Sequence, residues 1–134
     1  MQLKENVSLV QKTALFYTAA ELSRRGFNVN ILDDDMLFAM KDDKKFYIKV
    51  SGQGFKKSWI VERKEDIDNI VYVFVYIPKD LYDRPEFFIL TKKELEKEIK
   101  NKKLKSPKDF LSDKVISLSF SSIVKYADKW LSIN

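Results

Sequence analysis

Asp35 and Lys49 stand at opposite ends of the stretch "DDDMLFAMKDDKKFYIKV", residues 33–50, and their chemistry depends on how that stretch folds. Two apolar runs, Met36 to Met40 and Lys44 to Lys49, flank Lys41, Asp42 and Asp43, a pattern that predicts an antiparallel hairpin through a three-residue loop. In that register Asp35 faces Lys49, Leu37 faces Tyr47 and Ala39 faces Lys45. Side chains alternate with period two, so Asp35, Tyr47 and Lys49 share one face, while Met36, Phe38, Met40, Phe46, Ile48 and Val50 cover the other. A second carboxylate, Glu21, falls on a helical stripe with Val7, Val10, Ala14 and Tyr17, beside Leu15, Ala19 and Leu22. Two carboxylates converging on a lysine could hold Mg²⁺ or Mn²⁺ and stabilise the charge that develops when a phosphodiester is hydrolysed. The competing reading is an Asp35–Lys49 cross-strand ion pair worth about 0.2–1 kcal/mol, with Glu21 in water at the edge of its stripe.

The rest of the composition narrows the chemistry. The 134 residues contain neither cysteine nor histidine, which excludes disulfides, thiolate zinc sites, serine–histidine triads and histidine general bases. Any metal must be held by oxygen, which favours Mg²⁺ or Mn²⁺ over zinc or copper. A net charge of +5 gives a mild bias toward polyanions, and an equally good account of it is a lysine-rich, well-solvated surface. There is no GxGxxG or P-loop, so no nucleotide cofactor is expected. The opening "MQLKENVSLVQK" mixes charge with apolar residues, and the longest apolar run, "IVYVFVYI", is too short to span a bilayer, so a cytoplasmic protein with no membrane partner is expected.

The elements that must position these residues fit one domain spanning 1–134. A helix is predicted over 6–25, stopped by Gly26. Strands are predicted at 27–32, 36–40, 45–50, 58–62, 70–77 and 86–91, the fifth dense enough in β-branched and aromatic residues to be buried on both faces. Thr91 and Glu94 have the spacing of a capping box, opening a helix to about Lys103 with Leu95 and Ile99 inward, and Pro107 closes that region. A last helix is predicted over 120–131. The order predicts an α/β fold, a central mixed sheet of about five strands flanked by helices.

Two of the three glycines, Gly52 and Gly54, flank Gln53 in "SGQGFKKSW". Such a loop would let a phosphate backbone approach, with Lys56 and Lys57 supplying charge and Trp59 or Phe55 stacking on bases. The other reading is a connector with a core tryptophan. The basic segments around Lys56, Lys57 and Lys92 to Lys108 are expected to include the nucleic-acid surface.

Taken in order, "AAELSRRGFNV", an aspartate at a strand start, a strand ending in hydrophobic-Lys, Trp59, "VYVFV" and "PEFFIL" resemble the PD-(D/E)XK nuclease-like superfamily, and most closely its small single-domain, restriction-endonuclease-like members. The resemblance covers roughly residues 13 to 91, with a weaker echo in "YADKWLSI". It implies a restriction-endonuclease-like core in which Glu21 is similar to the helix acid, Asp35 to the motif aspartate and Lys49 to the motif lysine, with Glu21 and Asp35 as the metal ligands. Tyr47 stands two residues before the lysine, where the family has an acid or a glutamine. A phenol with a pKa near 10 is a poor Mg²⁺ ligand, so Asp33, Asp34 or Glu62 would have to fill the gap. The expectation is therefore a DNA-binding protein whose Mg²⁺- or Mn²⁺-dependent endonuclease activity is weakened or lost. The alternative is a non-enzymatic scaffold or interaction module, acting as a homodimer or as a subunit of a defence or mobile-element complex.

Overall fold

A computed structural model of the chain describes residues 8–105 and 115–133. Val7, Pro107 and Lys108 lie outside the described residues, as do the side chains of Lys103, Leu104 and Lys105. Helix α1 (Leu9–Arg24) starts at Ser8, whose hydroxyl accepts the Gln11 N–H at 3.0 Å, and ends at Gly26, whose φ of 97° closes the last turn where a side chain would be strained. Among the described residues seven strands follow: β1 (Asn28–Asp33), β2 (Met36–Lys41), β3 (Lys44–Gln53), β4 (Ser58–Glu62), β5 (Ile70–Tyr76), β6 (Glu86–Thr91) and, after helix α2 (Lys92–Lys105), β7 (Val115–Ser119). The capping box at the start of α2 is formed: the Thr91 N–H donates to Glu94 Oε1 at 2.9 Å and the Glu94 N–H to the Thr91 hydroxyl at 3.2 Å.

The fold is α/β, with a central mixed sheet of five strands in the order β1-β2-β3-β5-β6. Only the β3–β5 pair is parallel; the others are antiparallel. Strand β5 lies deep in the sheet because both of its faces are apolar. Val71, Val73 and Val75 join Leu37, Ala39, Ile48 and Val50 beneath α1, while Ile70, Tyr72 and Phe74 face a second cluster. That second cluster is closed by α2, through Leu95 and Ile99, and by a separate two-stranded ribbon of β4 and β7.

Three expectations are corrected by this fold. The β2–β3 turn is two residues long, closed by Lys41 opposite Lys44, with Asp42 at φ 53°; aspartate tolerates this left-handed conformation better than most side chains. The pairing thus shifts by one residue from the predicted register. Met36 stands opposite Lys49, and Phe38 opposite Tyr47. Leu37 and Ala39 therefore join Ile48 and Val50 under α1, while the rings of Phe38 and Tyr47 pack at 4.9 Å on the face that carries Lys49.

The expected 120–131 helix is a single short turn, α3 (Phe120–Ile123), followed by 3₁₀ turns at Val124–Tyr126 and Trp130–Ser132. It breaks because Ala127 bridges to Phe88 and the Asp128 N–H donates to the Phe87 carbonyl at 2.9 Å, with Asp128 at φ 53°. Pairing with the edge of β6 outweighs helical propensity there. Strand β7 was not expected, although "VISLS" alternates with period two.

Candidate functional site

The turn joining β1 to β2 contains Asp34 and Asp35, and the Asp35 carbonyl accepts the Val50 N–H at 2.8 Å, which ties the turn to β3. Lys49 projects from β3 on the face away from α1, its side chain only 7% exposed. Its ammonium donates to Asp35 Oδ2 in a very short contact and lies 3.8 Å from Glu62 Oε1 on β4. Glu62 Oε1 also holds the Lys64 ammonium at 2.7 Å. That bond holds the Lys64 ammonium above its ordinary pKa against the opposing effect of burial, and the charges of Asp35 and Asp66 add to it. Asp35, Lys49 and Glu62 line one cleft of about 460 Å³ with Ser8, Gln11, Asp34 and Gln53.

Helix α1 reaches this cleft through Gln11 instead of Glu21. The Gln11 amide donates to the Asp34 carbonyl at 3.2 Å and the Val50 carbonyl at 3.0 Å, and its oxygen accepts the Gly52 N–H at 2.8 Å. One side chain thus fastens the helix to β3 and to the aspartate turn. Gln11 was missed by the sequence reading. The signal for it was the spacing Gln11, Leu15, Thr18, Leu22, an inward stripe at intervals of four, three and four.

The predicted convergence of Glu21 with Asp35 is not found. Glu21 lies ten residues beyond Gln11 on the same helix, about 15 Å along its axis. It accepts Arg24 at 2.8 Å and Arg25 at 2.7 Å, and lines a different groove with Tyr17, Arg84 and Trp130. The hydrogen bond from Arg24, helped by Arg25, holds its carboxyl below the ordinary value in spite of partial burial. Of the three residues expected together, Asp35 and Lys49 meet, and Glu62 takes the place expected for Glu21.

Gln53 borders the cleft at the end of β3 and also lines the adjoining groove with Gly54, Phe55, Pro78 and Lys79. Phe55 is 64% exposed, with the Lys79 ammonium 5.5 Å from its ring centre. Lys57 is exposed, whereas Lys56 is bound to Glu86 at 2.6 Å and lies over the Tyr76 ring at 4.9 Å. The Glu86 hydrogen bond raises the Lys56 pKa. Trp59 is not available for stacking. It is fully buried among Phe74, Phe88 and Phe120, and its indole N–H donates to the Val75 carbonyl at 3.2 Å. Gly52 likewise serves packing: a Cβ there would stand 2.5 Å from the Ala14 Cβ, so its lack of a side chain lets α1 lie against β3.

The donor set does not fit a resident Mg²⁺ or Mn²⁺. Among the described residues, no group of three acidic side chains is placed to hold a metal ion. Asp35 is neutralised by Lys49, and Glu62 by Lys64 with help from Lys49. Tyr47 leans into Phe38 and is absent from the cleft lining. Among the described residues no helix is long and apolar enough to cross a membrane. No protein-family model matches the chain, and no curated protein or solved structure matches it at a significant level.

Proposed function

We propose that the chain is a nucleic-acid-binding domain on a restriction-endonuclease-like core whose hydrolytic activity is weak or lost. The observation that carries this reading is the exposed Phe55, with the Lys79 ammonium 5.5 Å from its ring centre and the exposed Lys57 two residues further along the chain, in a groove that Gln53 joins to the Asp35–Lys49–Glu62 cleft. A solvent-exposed aromatic ring with exposed lysines nearby suits a single-stranded or splayed nucleic acid, since bases stack on the ring while lysines follow the phosphates. Lys49 and Lys64, one bridging the two carboxylates and one capping Glu62, take the positions in which a divalent cation would otherwise balance them. A cleft neutralised in this way tolerates a phosphodiester without supplying the metal-bound water that would cleave it.

Fluorescence anisotropy with labelled single- and double-stranded DNA tests the reading. The wild-type protein should bind with a log affinity that falls linearly with log salt, by about 0.7 per phosphate contact for single strands. Phe55→Ala should weaken binding by the loss of one stacked base, about 1–3 kcal/mol. Lys57→Glu should weaken it for all sequences alike and flatten the salt slope. Unchanged affinity in both variants would refute the assignment. Rapid Mg²⁺-dependent cleavage by the wild type, abolished in Glu62→Ala, would show that activity has been kept.

A further inference from the structure

Two glutamines border the Asp35–Lys49–Glu62 cleft, in opposite states. The Gln11 amide is fully committed: its nitrogen donates to the Asp34 and Val50 carbonyls, and its oxygen accepts the Gly52 N–H. Gln53, at the end of β3, is held by its main chain alone. It stands in parallel register with Tyr76, and its carbonyl accepts the Ile77 N–H at 2.9 Å. Its side chain is half-buried and bonds to none of the described residues. A strand end fixed by the sheet thus presents an unengaged amide, one acceptor oxygen and two N–H donors, where the cleft meets the groove of Phe55. Gly54, which separates Gln53 from Phe55, places no side chain between amide and ring.

The chemistry of that amide limits what it can hold. A phosphate offers acceptors only, and the exposed Lys57 and Lys79 suit it better. An amide is matched by a donor and an acceptor side by side, which is the edge of a nucleobase. We propose that Gln53 reads an adenine whose ring is stacked on Phe55. The inference rests on the nucleic-acid reading above and names the base that the groove prefers. Adenine carries an acceptor beside its N6 amine on both of its edges, N1 on one and N7 on the other. The Gln53 oxygen therefore accepts from N6–H while its nitrogen donates to N1 or N7, whichever edge faces the strand end. Guanine has such a pair on one edge only, because its N7 and O6 both accept, and each pyrimidine has one such edge. A purine also covers more of the Phe55 ring than a pyrimidine does.

Fluorescence anisotropy with labelled oligo-dA and with the same strand carrying purine in place of adenine tests this directly, since purine stacks but lacks the 6-amine. The wild type should bind oligo-dA about tenfold more tightly, the size expected of one bidentate base contact. Gln53→Ala should bind the two strands alike, with the salt slope and Tm of the wild type, because the side chain holds neither a phosphate nor another part of the protein. AMP should displace the labelled strand only at concentrations far above those of unlabelled oligo-dA, since it lacks the neighbouring phosphates that the lysines follow. No binding of either strand by the wild type would overturn the nucleic-acid reading and this inference together. Salt-dependent binding with no preference for oligo-dA, or a preference that Gln53→Ala keeps, would overturn the inference alone. So would displacement by AMP as readily as by oligo-dA, which would assign the groove to a free nucleotide.

Discussion

Asp35→Asn and Lys49→Met should have unequal effects on stability, although they break the same ion pair. The Lys49 side chain is 7% exposed and Asp35 41%. Replacing the aspartate leaves a desolvated ammonium with Glu62 at 3.8 Å as its remaining close carboxylate. A hydrogen bond to a charged group contributes about 1.5–3 kcal/mol net, and screening by water on the Asp35 side argues for the lower part of that range. Asp35→Asn is therefore expected to cost about 1–2 kcal/mol, while the main-chain bond from Val50 is kept. Replacing the lysine removes the buried charge itself and leaves Asp35 free to hydrate, with methionine filling a similar volume beside Met36 and Tyr47. Such replacements are often neutral or stabilising, so Lys49→Met should change stability by less than about 1 kcal/mol in either direction. Urea unfolding at pH 7, followed by far-ultraviolet circular dichroism, would show the difference as a shift in midpoint at constant slope. In the Lys49→Met background, Asp35→Asn should cost little, giving a coupling of about 1 kcal/mol. The reasoning fails if Lys49→Met is the more destabilising change, or if the two effects simply add.

Gly52→Ala should destabilise the protein by about 1–3 kcal/mol, because the new methyl meets the Ala14 Cβ at 2.5 Å inside a packed helix–sheet contact, and Ala14→Gly in the same chain should recover part of the loss in a thermal melt. Glu21→Gln concerns pH. The Glu21 carboxyl is held below its ordinary value of 4.5, so its contribution to stability is present above that pH and is lost as pH falls through the lowered folded value. The Tm of wild type and Glu21→Gln should differ at pH 7 and converge under acid, and a difference independent of pH would assign Glu21 to packing instead.

What could be read from the sequence was mostly what local chemistry decides. Gly26 and the Thr91–Glu94 box place helix ends through contacts a few residues apart, and the unbroken apolar run of β5 could only suit a strand covered on both sides. The β2–β3 register was misread by one residue because "KDDK" fits a loop of two or three residues equally well, and only Asp42 in the left-handed region selects two. Asp35 and Lys49 still meet, since Asp35 lies in a turn bound to Val50 and the long lysine stem spans the offset. Glu21 was misplaced because the apolar stripe chosen for α1 was rotated from the true one, which runs through Gln11, Leu15, Thr18 and Leu22. Of Phe55 and Trp59, both candidates for stacking, Trp59 is buried for a reason no local pattern carries: β4 pairs with β7 outside the central sheet, and this puts Trp59 between the two layers.

That ribbon also bears on the order in which the molecule is assembled. Ser58 pairs with Ser119 and Glu62 with Val115, partners roughly fifty to sixty residues apart along the chain, whereas the β1–β2 and β2–β3 pairs close through tight turns. Loop-closure entropy must be overcome before so distant a contact yields any return, so hairpins form early and distant strands late. The layer over Trp59 is therefore expected to close in the final stage of folding. Until then the open face exposes the apolar side of β5 and β6 to other chains. In a Trp130→Phe background, the fluorescence of Trp59 would report that closure as a phase slower than the gain of sheet signal; a Trp59 change simultaneous with sheet formation would show that both layers form in one step.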